Sequence, residues 1–175
     1  MIFLKKNKME GLNEYINCTP PLINILLWEN CDVNIFNSID KEELDNLFDL
    51  LSLFKNAKTN NKNLILYRGI NSDIKLEKIF FNKGLISTSP NKEYASNYST
   101  NGQIIEINVP IGTKILDVYD YNIDNNDEGQ EIILLPGRLC HDSLNKYNYS
   151  EQQSYNVTKN KLIKIIQSFN PKFKI

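Results

Sequence analysis

The sequence predicts an α+β fold, with helices gathered in the N-terminal third and a largely antiparallel or mixed system of short strands behind them. Three observations carry this. Apolar residues recur at helical spacing between residues 9 and 55. From residue 64 onward, short runs rich in Ile, Leu, Val and Tyr are punctuated by Pro, Gly, Asn and Ser. No regular alternation of strand and crossover helix is present, as a parallel sheet would need.

The 175 residues suffice for one domain with its own core, expected as a helical part over 1–62 and a β-rich core over 63–175. Hydrophobic residues at 41% and charged residues at 23% give an ordinary globular balance. The formal net charge of -1 offers no basic footprint for nucleic acid or an anionic membrane. No apolar run approaches the ~20 residues that span a bilayer. The opening Met1-Ile2-Phe3-Leu4-Lys5-Lys6 carries its charges after the apolar run, which makes a poor signal peptide, so a cytoplasmic location is expected. Cys18, Cys31 and Cys140 are too few and too scattered for a disulfide framework or a zinc site.

Residues 9–18 suit one short helix. Thr19-Pro20-Pro21 reads as a start signal for the next, since proline is tolerated in a first helical turn. The run Leu22 to Trp28 is apolar around most of its circumference and reads as a buried helix, with a strand as the alternative. Over residues 40–55, Asp40 can cap and Glu43 can close a capping box, while Leu44, Leu47, Phe48, Leu51 and Phe54 form one apolar face. Lys55 to Asn63 reads as a connecting loop. None of this carries obvious chemistry.

Leu64 to Ile70 is a strand by composition, and Arg68 falls near its end, followed by Gly69. Arginine presents a rigid fork suited to phosphate or carboxylate, and glycine lets a ligand come close to the backbone. Lys83 to Pro90 then switches from apolar residues to Ser87-Thr88-Ser89, where alternation puts Ser87 and Ser89 on one face and Thr88 on the other. Such hydroxyls are either cross-strand fillers or groups that fix a carboxylate's rotamer. Residues 91–98 suit a short helix with Ser89 as cap and Pro90 in its first turn. The single histidine, His141, and the lack of a Gly-X-Ser-X-Gly elbow argue against a serine hydrolase.

Gln103 to Val109 and Lys114 to Val118 are strands joined by a Pro-Gly turn. Tyr119 to Gln130 is a loop rich in Asn and Asp. It runs into Glu131, which opens the strand Ile132 to Leu135 before the turn at Pro136-Gly137. A carboxylate there stands on a rigid element beside a mobile rim, as many active sites do. Arg138 to Tyr155 is polar and weakly patterned. Lys161 to Gln167 is expected to close the sheet, with a helix as the alternative. Tyr67, Tyr94, Tyr98, Tyr119 and Tyr121 read as core or rim aromatics.

In order along the chain stand Leu66-Tyr67-Arg68-Gly69, Gly84-Leu85-Ile86-Ser87-Thr88-Ser89 and Glu131-Ile132-Ile133-Leu134-Leu135-Pro136-Gly137. Together they resemble the mono-ADP-ribosyltransferases of the Arg / Ser-Thr-Ser / Glu class, the C3-like and binary-toxin-like exoenzymes. The resemblance spans about residues 12–137 and implies a split β-sandwich, two packed and largely antiparallel sheets around an NAD cleft with helices on the N-terminal side. It implies NAD as co-substrate, no metal, and Glu131, Ser87 and Arg68 as the catalytic set. Arg68, Gly69, Ser87 and Ser89 would bind the donor: Arg68 at the phosphates or adjoining ribose, the Gly69 backbone at the nicotinamide carboxamide. Ser87 would orient Glu131, and Glu131 would hydrogen-bond the 2′-hydroxyl of the nicotinamide ribose.

The residue types suit that chemistry. Breaking the nicotinamide–ribose bond develops positive charge on the sugar, which a fixed carboxylate stabilises. Where the family usually has Glu or Gln, two residues before the catalytic Glu, this chain has Gly129. The flanking Glu128 and Gln130 are the candidates for the acceptor side. The resemblance therefore leaves several outcomes open: a protein side chain (arginine through Glu128), a nucleic acid or small-molecule acceptor, water, or NAD binding without turnover. A target protein, no membrane and a monomer are the expected partnerships.

Overall fold

The computed structural model describes residues 10–16, 21–29, 33–36, 38–70, 78–121, 130–151, 160–164 and 167–168. The chain divides into two compact units, Met1–Asn56 with Gln153–Ile175, and Ala57–Gln152.

The first unit is helical: α1 (residues 10–16), α2 (Leu22–Trp28), α3 (Val33–Phe36) and α4 (Lys41–Lys55). Pro21 is the N-cap of α2, and its carbonyl accepts from the Asn24 and Ile25 amides. Proline cannot continue a helix backward but loses nothing at its start. The capping box expected for α4 is present: Asp40 Oδ1 accepts from the Glu43 amide at 2.9 Å and Glu43 Oε2 from the Asp40 amide at 3.0 Å. Leu44, Leu47, Phe48, Leu50, Leu51, Leu53 and Phe54 are buried along α4. Gly11 of α1 lies directly on the α4 backbone, where an added Cβ would sit 2.2 Å from the Asn46 carbonyl oxygen.

Residues 160–164 and 167–168 are helical, so the strand expected over 161–167 is not formed there. Leu162 is buried while Lys164 is exposed. In a strand those two would share a face; on a helix they do not.

Among the described residues the second unit holds nine strands in two sheets: β1 (Lys58–Thr59), β2 (Leu64–Gly69), β3 (Ile79–Asn82), β4 (Ile86–Thr88), β5 (Ile104–Val109), β6 (Lys114–Asp117), β7 (Ile132–Leu134), β8 (Gly137–Ser143) and β9 (Lys146–Glu151). One sheet runs β1-β6-β7-β4, the other β2-β5-β9-β8-β3. All pairs are antiparallel except β5 with β9. A shared core joins them: Leu66, Ile105, Ile107, Leu139, Tyr147 and Tyr149 from the five-stranded sheet meet Ile86, Ile115, Ile132 and Leu134 from the four-stranded one. Two packed, largely antiparallel sheets are thus what the chain builds.

The stretch 138–155, weakly patterned in sequence, holds all of the β8–β9 hairpin but its first residue, Gly137. Only Leu139, Tyr147 and Tyr149 point inward, and its other face is polar, so its apolar signal is thin. The 55–63 loop contains β1 and the buried Asn60. The Asn60 amide nitrogen donates to the Lys62 and Pro110 carbonyls, and its Oδ1 accepts from the Thr113 amide at 2.7 Å. One side chain thereby closes the β5–β6 turn against the chain entering β2. Among the described residues no helix is long and apolar enough to cross a membrane.

Candidate active site

The two sheets are stitched at one corner. Tyr67 of β2 and Ser89, just past β4, exchange backbone hydrogen bonds of 2.7 and 2.9 Å although their strands belong to different sheets. Beside this bridge, Arg68 Nη1 donates to the Ser87 carbonyl at 3.4 Å. On the four-stranded side β4 pairs with β7, with Ser87 opposite Ile133 and Thr88 opposite Ile132. The buried Thr88 hydroxyl donates to the Ile132 carbonyl at 2.6 Å.

That pairing delivers Glu131. It is the last residue before β7 and not the first within it, and its carbonyl accepts from the Val118 amide at 2.9 Å. Gln130 has φ +39°, in the left-handed region, so strand alternation breaks immediately before the carboxylate. Gln130 itself is exposed. Glu128 and Gly129 lie outside the described residues.

The Ser87 hydroxyl donates to the Glu131 carboxylate and the Arg68 guanidinium acts on its charge. Burial works the other way and wins, so the carboxyl is held above its ordinary range. The three motif residues, distant in sequence, therefore form one constellation: Arg68 from the five-stranded sheet, Ser87 from the four-stranded one, and Glu131 at the entry to its β7. A partly buried carboxylate fixed by a hydroxyl and faced by a guanidinium suits stabilisation of positive charge on a reacting group.

Ser89 is 2% exposed, and its Oγ accepts from the Asn91 amide at 2.9 Å. The cap of the following helix α5 (Lys92–Ser96) is Asn91, not Ser89: Asn91 Oδ1 takes the Glu93 and Tyr94 amides at 2.9 and 3.1 Å. Two side-chain acceptors in series thus lead from β4 into α5. Gly69 faces this helix. A Cβ there would lie 2.4 Å from the Ala95 carbonyl oxygen and 2.8 Å from the Tyr98 carbonyl carbon, so the absent side chain admits the α5 backbone.

Tyr94 of α5 and Tyr98, one turn on, form a pair. Their hydroxyls are 2.9 Å apart and their rings 5.4 Å between centroids. The Glu131 charge also acts on Tyr94. The four-residue spacing was the available signal, but a helix as short as α5 announces it weakly. His141 packs edge-on against Tyr147 within the β8–β9 hairpin and takes no part in this cluster.

A family model described as ADP-ribosyltransferase exoenzyme matches residues 4–169. Exoenzyme S from Pseudomonas aeruginosa, solved with human 14-3-3 protein beta and carba-NAD, superposes with TM-score 0.57 at 15% identity, over 83% of this chain and 73% of that one. The C3 exoenzyme of Clostridium limosum gives TM-score 0.59 at 15% identity, over 85% of each chain. The ADP-ribosylating toxin BECa of C. perfringens, solved with NADH, gives TM-score 0.59 at 14% identity, over 82% of this chain and 42% of that one. No curated protein sequence matches the chain.

Proposed function

The chain belongs to the ADP-ribosyltransferase exoenzyme family, and from that premise we propose that it cleaves the nicotinamide–ribose bond of NAD at the seam between its sheets and passes ADP-ribose to a protein side chain. As a member of that family it is an NAD-dependent ADP-ribosyltransferase with NAD as co-substrate. The observation that carries the site is the Ser87 hydroxyl on the Glu131 carboxylate, with the Arg68 guanidinium beside them on the Ser87 carbonyl.

In this reading Arg68 compensates the donor's phosphates, so that only the ribose need move. Glu131, fixed by Ser87, takes the 2′-hydroxyl of the nicotinamide ribose and faces the positive charge that develops as nicotinamide leaves. The Gly69 backbone holds the carboxamide. Ser89, with its hydroxyl engaged at Asn91, acts through the backbone it fixes.

A protein acceptor suits the family, and the Exoenzyme S neighbour was solved in complex with a protein. Glu128 and Gln130 remain the residues proposed for the acceptor side, and the site of action proposed is a cytosol. The enzyme is taken to act as a monomer over a single catalytic domain, 1–175.

The test is labelled NAD with purified protein and cell lysate. Nicotinamide release and label on a protein band, both lost in Glu131→Gln while thermal unfolding stays cooperative, support the proposal. Saturable NAD binding without nicotinamide release would reduce the chain to a binding module. Nicotinamide release without labelled protein would make water or a small molecule the acceptor.

A further inference from the structure

Glu131 stands just outside the β7 ladder, and the residue before it, Gln130, has left-handed backbone. Its main chain is held from the end of β6, where the Val118 amide donates to the Glu131 carbonyl at 2.9 Å. Val118 opens a single 3₁₀ turn, Val118–Tyr121, directly after β6. So short a turn has little stability of its own. Whatever fixes it also fixes the Glu131 backbone.

One ammonium and two carboxylates do so. Asp117 Oδ1 accepts from the Tyr119 amide at 3.2 Å, and its Oδ2 lies 3.3 Å from the Lys58 ammonium. The same ammonium meets Asp120 Oδ2 at 2.8 Å. Lys58 belongs to β1, the two-residue strand at the edge of the four-stranded sheet, where it pairs with β6. It thus reaches past the end of β6 and grips the residue before the turn and a residue within it. The hydrogen bond to Asp120, first, raises the Lys58 pKa above its ordinary value against a smaller opposing effect of burial, so the ammonium stays charged. The Lys58 and Asp120 side chains are about half exposed, which leaves this grip sensitive to salt.

We propose that Lys58 is a positioning residue for Glu131: by clasping Asp117 and Asp120 it holds the turn whose first amide fixes the Glu131 backbone. This deepens the functional reading and rests on Glu131 being the working carboxylate. Ser87 orients its side chain, and the clasp holds the main chain from which that side chain projects. A carboxylate that must face charge developing on the ribose works over a narrow range of positions. A looser backbone therefore lowers kcat and leaves NAD affinity alone.

The experiment compares full-length wild type, Lys58→Met, Lys58→Arg and Asp120→Asn. Lys146→Met, which breaks the exposed ion pair with Glu106 in the other sheet, is the control. One readout is hydrogen exchange of the Val118 amide by NMR. The second is kcat and KM for nicotinamide release. In Lys58→Met the Val118 amide exchanges about two- to fivefold faster and kcat falls by a similar factor, the range that an exposed ion pair supplies. KM for NAD stays unchanged. Lys58→Arg restores both readouts, and Asp120→Asn shows a smaller loss because Asp117 still holds Lys58. High salt narrows the difference in exchange between wild type and Lys58→Met.

Unchanged Val118 exchange in Lys58→Met would overturn the proposal, since the clasp would then not hold the turn. So would faster exchange with kcat unchanged, or an equal loss in Lys146→Met. A wild type that releases no nicotinamide would defeat the functional reading, while Val118 exchange would still decide whether Lys58 holds the turn at Glu131.

Discussion

Glu131 holds a charge against its surroundings. Burial raises its pKa, and Ser87 and Arg68 recover only part of that cost. On the proposed reading transfer needs the ionised form, so the acid limb of the pH–kcat profile should lie above the ordinary carboxylate range, with activity falling as pH drops through it. Ser87→Ala removes the hydrogen bond that lowers the value. It should cut kcat by about tenfold or more and push the acid limb higher still, as loss of a group that orients a working side chain does. A pH series of nicotinamide release in both proteins checks this. At this scale the sequence was informative where chemistry depends on residue type, at Arg68, Ser87 and Glu131. It was faint at Tyr94 and Tyr98, whose contact shows only as a four-residue spacing on a very short helix. Gly69 is intermediate: its place beside Arg68 suggests close approach of a ligand, and the structure adds that the α5 backbone makes the close approach.

Elements position these residues through backbone contacts that leave little slack. Thr88→Val keeps the shape of the buried side chain but removes its hydrogen bond to the Ile132 carbonyl. It should cost about 0.5–1.5 kcal/mol in urea denaturation, the usual net worth of one such bond. Because Ile132 follows Glu131, kcat should fall as well. Gly69→Ala drives a methyl group into the Ala95 carbonyl, and overpacking of this kind typically costs about 1–3 kcal/mol. The displaced helix should also lower nicotinamide release, measured on the same preparation.

Strands rich in Ile, Leu and Val, such as β2, β5 and β6, were legible from composition. The β8–β9 hairpin was not, since its inner face rests on three residues while its outer face reads as loop. The terminal run 161–167 misled because its apolar density suits either period, and only the unequal exposure of Leu162 and Lys164 separates them.

For the molecule as a whole, the raised pKa of Glu131 is a statement about stability. Between its unfolded and folded values the native state binds more protons, so stability falls as pH rises through that window. Above it the charged carboxylate is a standing cost. Glu131→Gln should therefore unfold at a temperature no lower than wild type at pH 7, and the difference should vanish below the unfolded value; thermal melts at both pH values check it. The two-sheet arrangement came from the resemblance of three short motifs. Composition and periodicity alone reach only to a mixed or antiparallel sheet behind helices, because strand order depends on pairings far apart in sequence.

One such pairing governs when activity can appear. β7 lies between β6 and β4, and the strand it must reach, β4, was made 44 residues earlier, the separation spanned by the Thr88–Ile132 hydrogen bond. On the ribosome β2 and β5 can meet as soon as both have emerged. The edge of β4 waits unpaired until β7 arrives between its neighbours, and loop closures of that length are slow. The strand that completes the four-stranded sheet is the one that follows directly on Glu131, the carboxylate proposed to act. A growing chain that already carries Arg68 and Ser87 therefore has neither a closed four-stranded sheet nor Glu131 beside them, and on the proposed reading NAD cleavage waits until that sheet is complete.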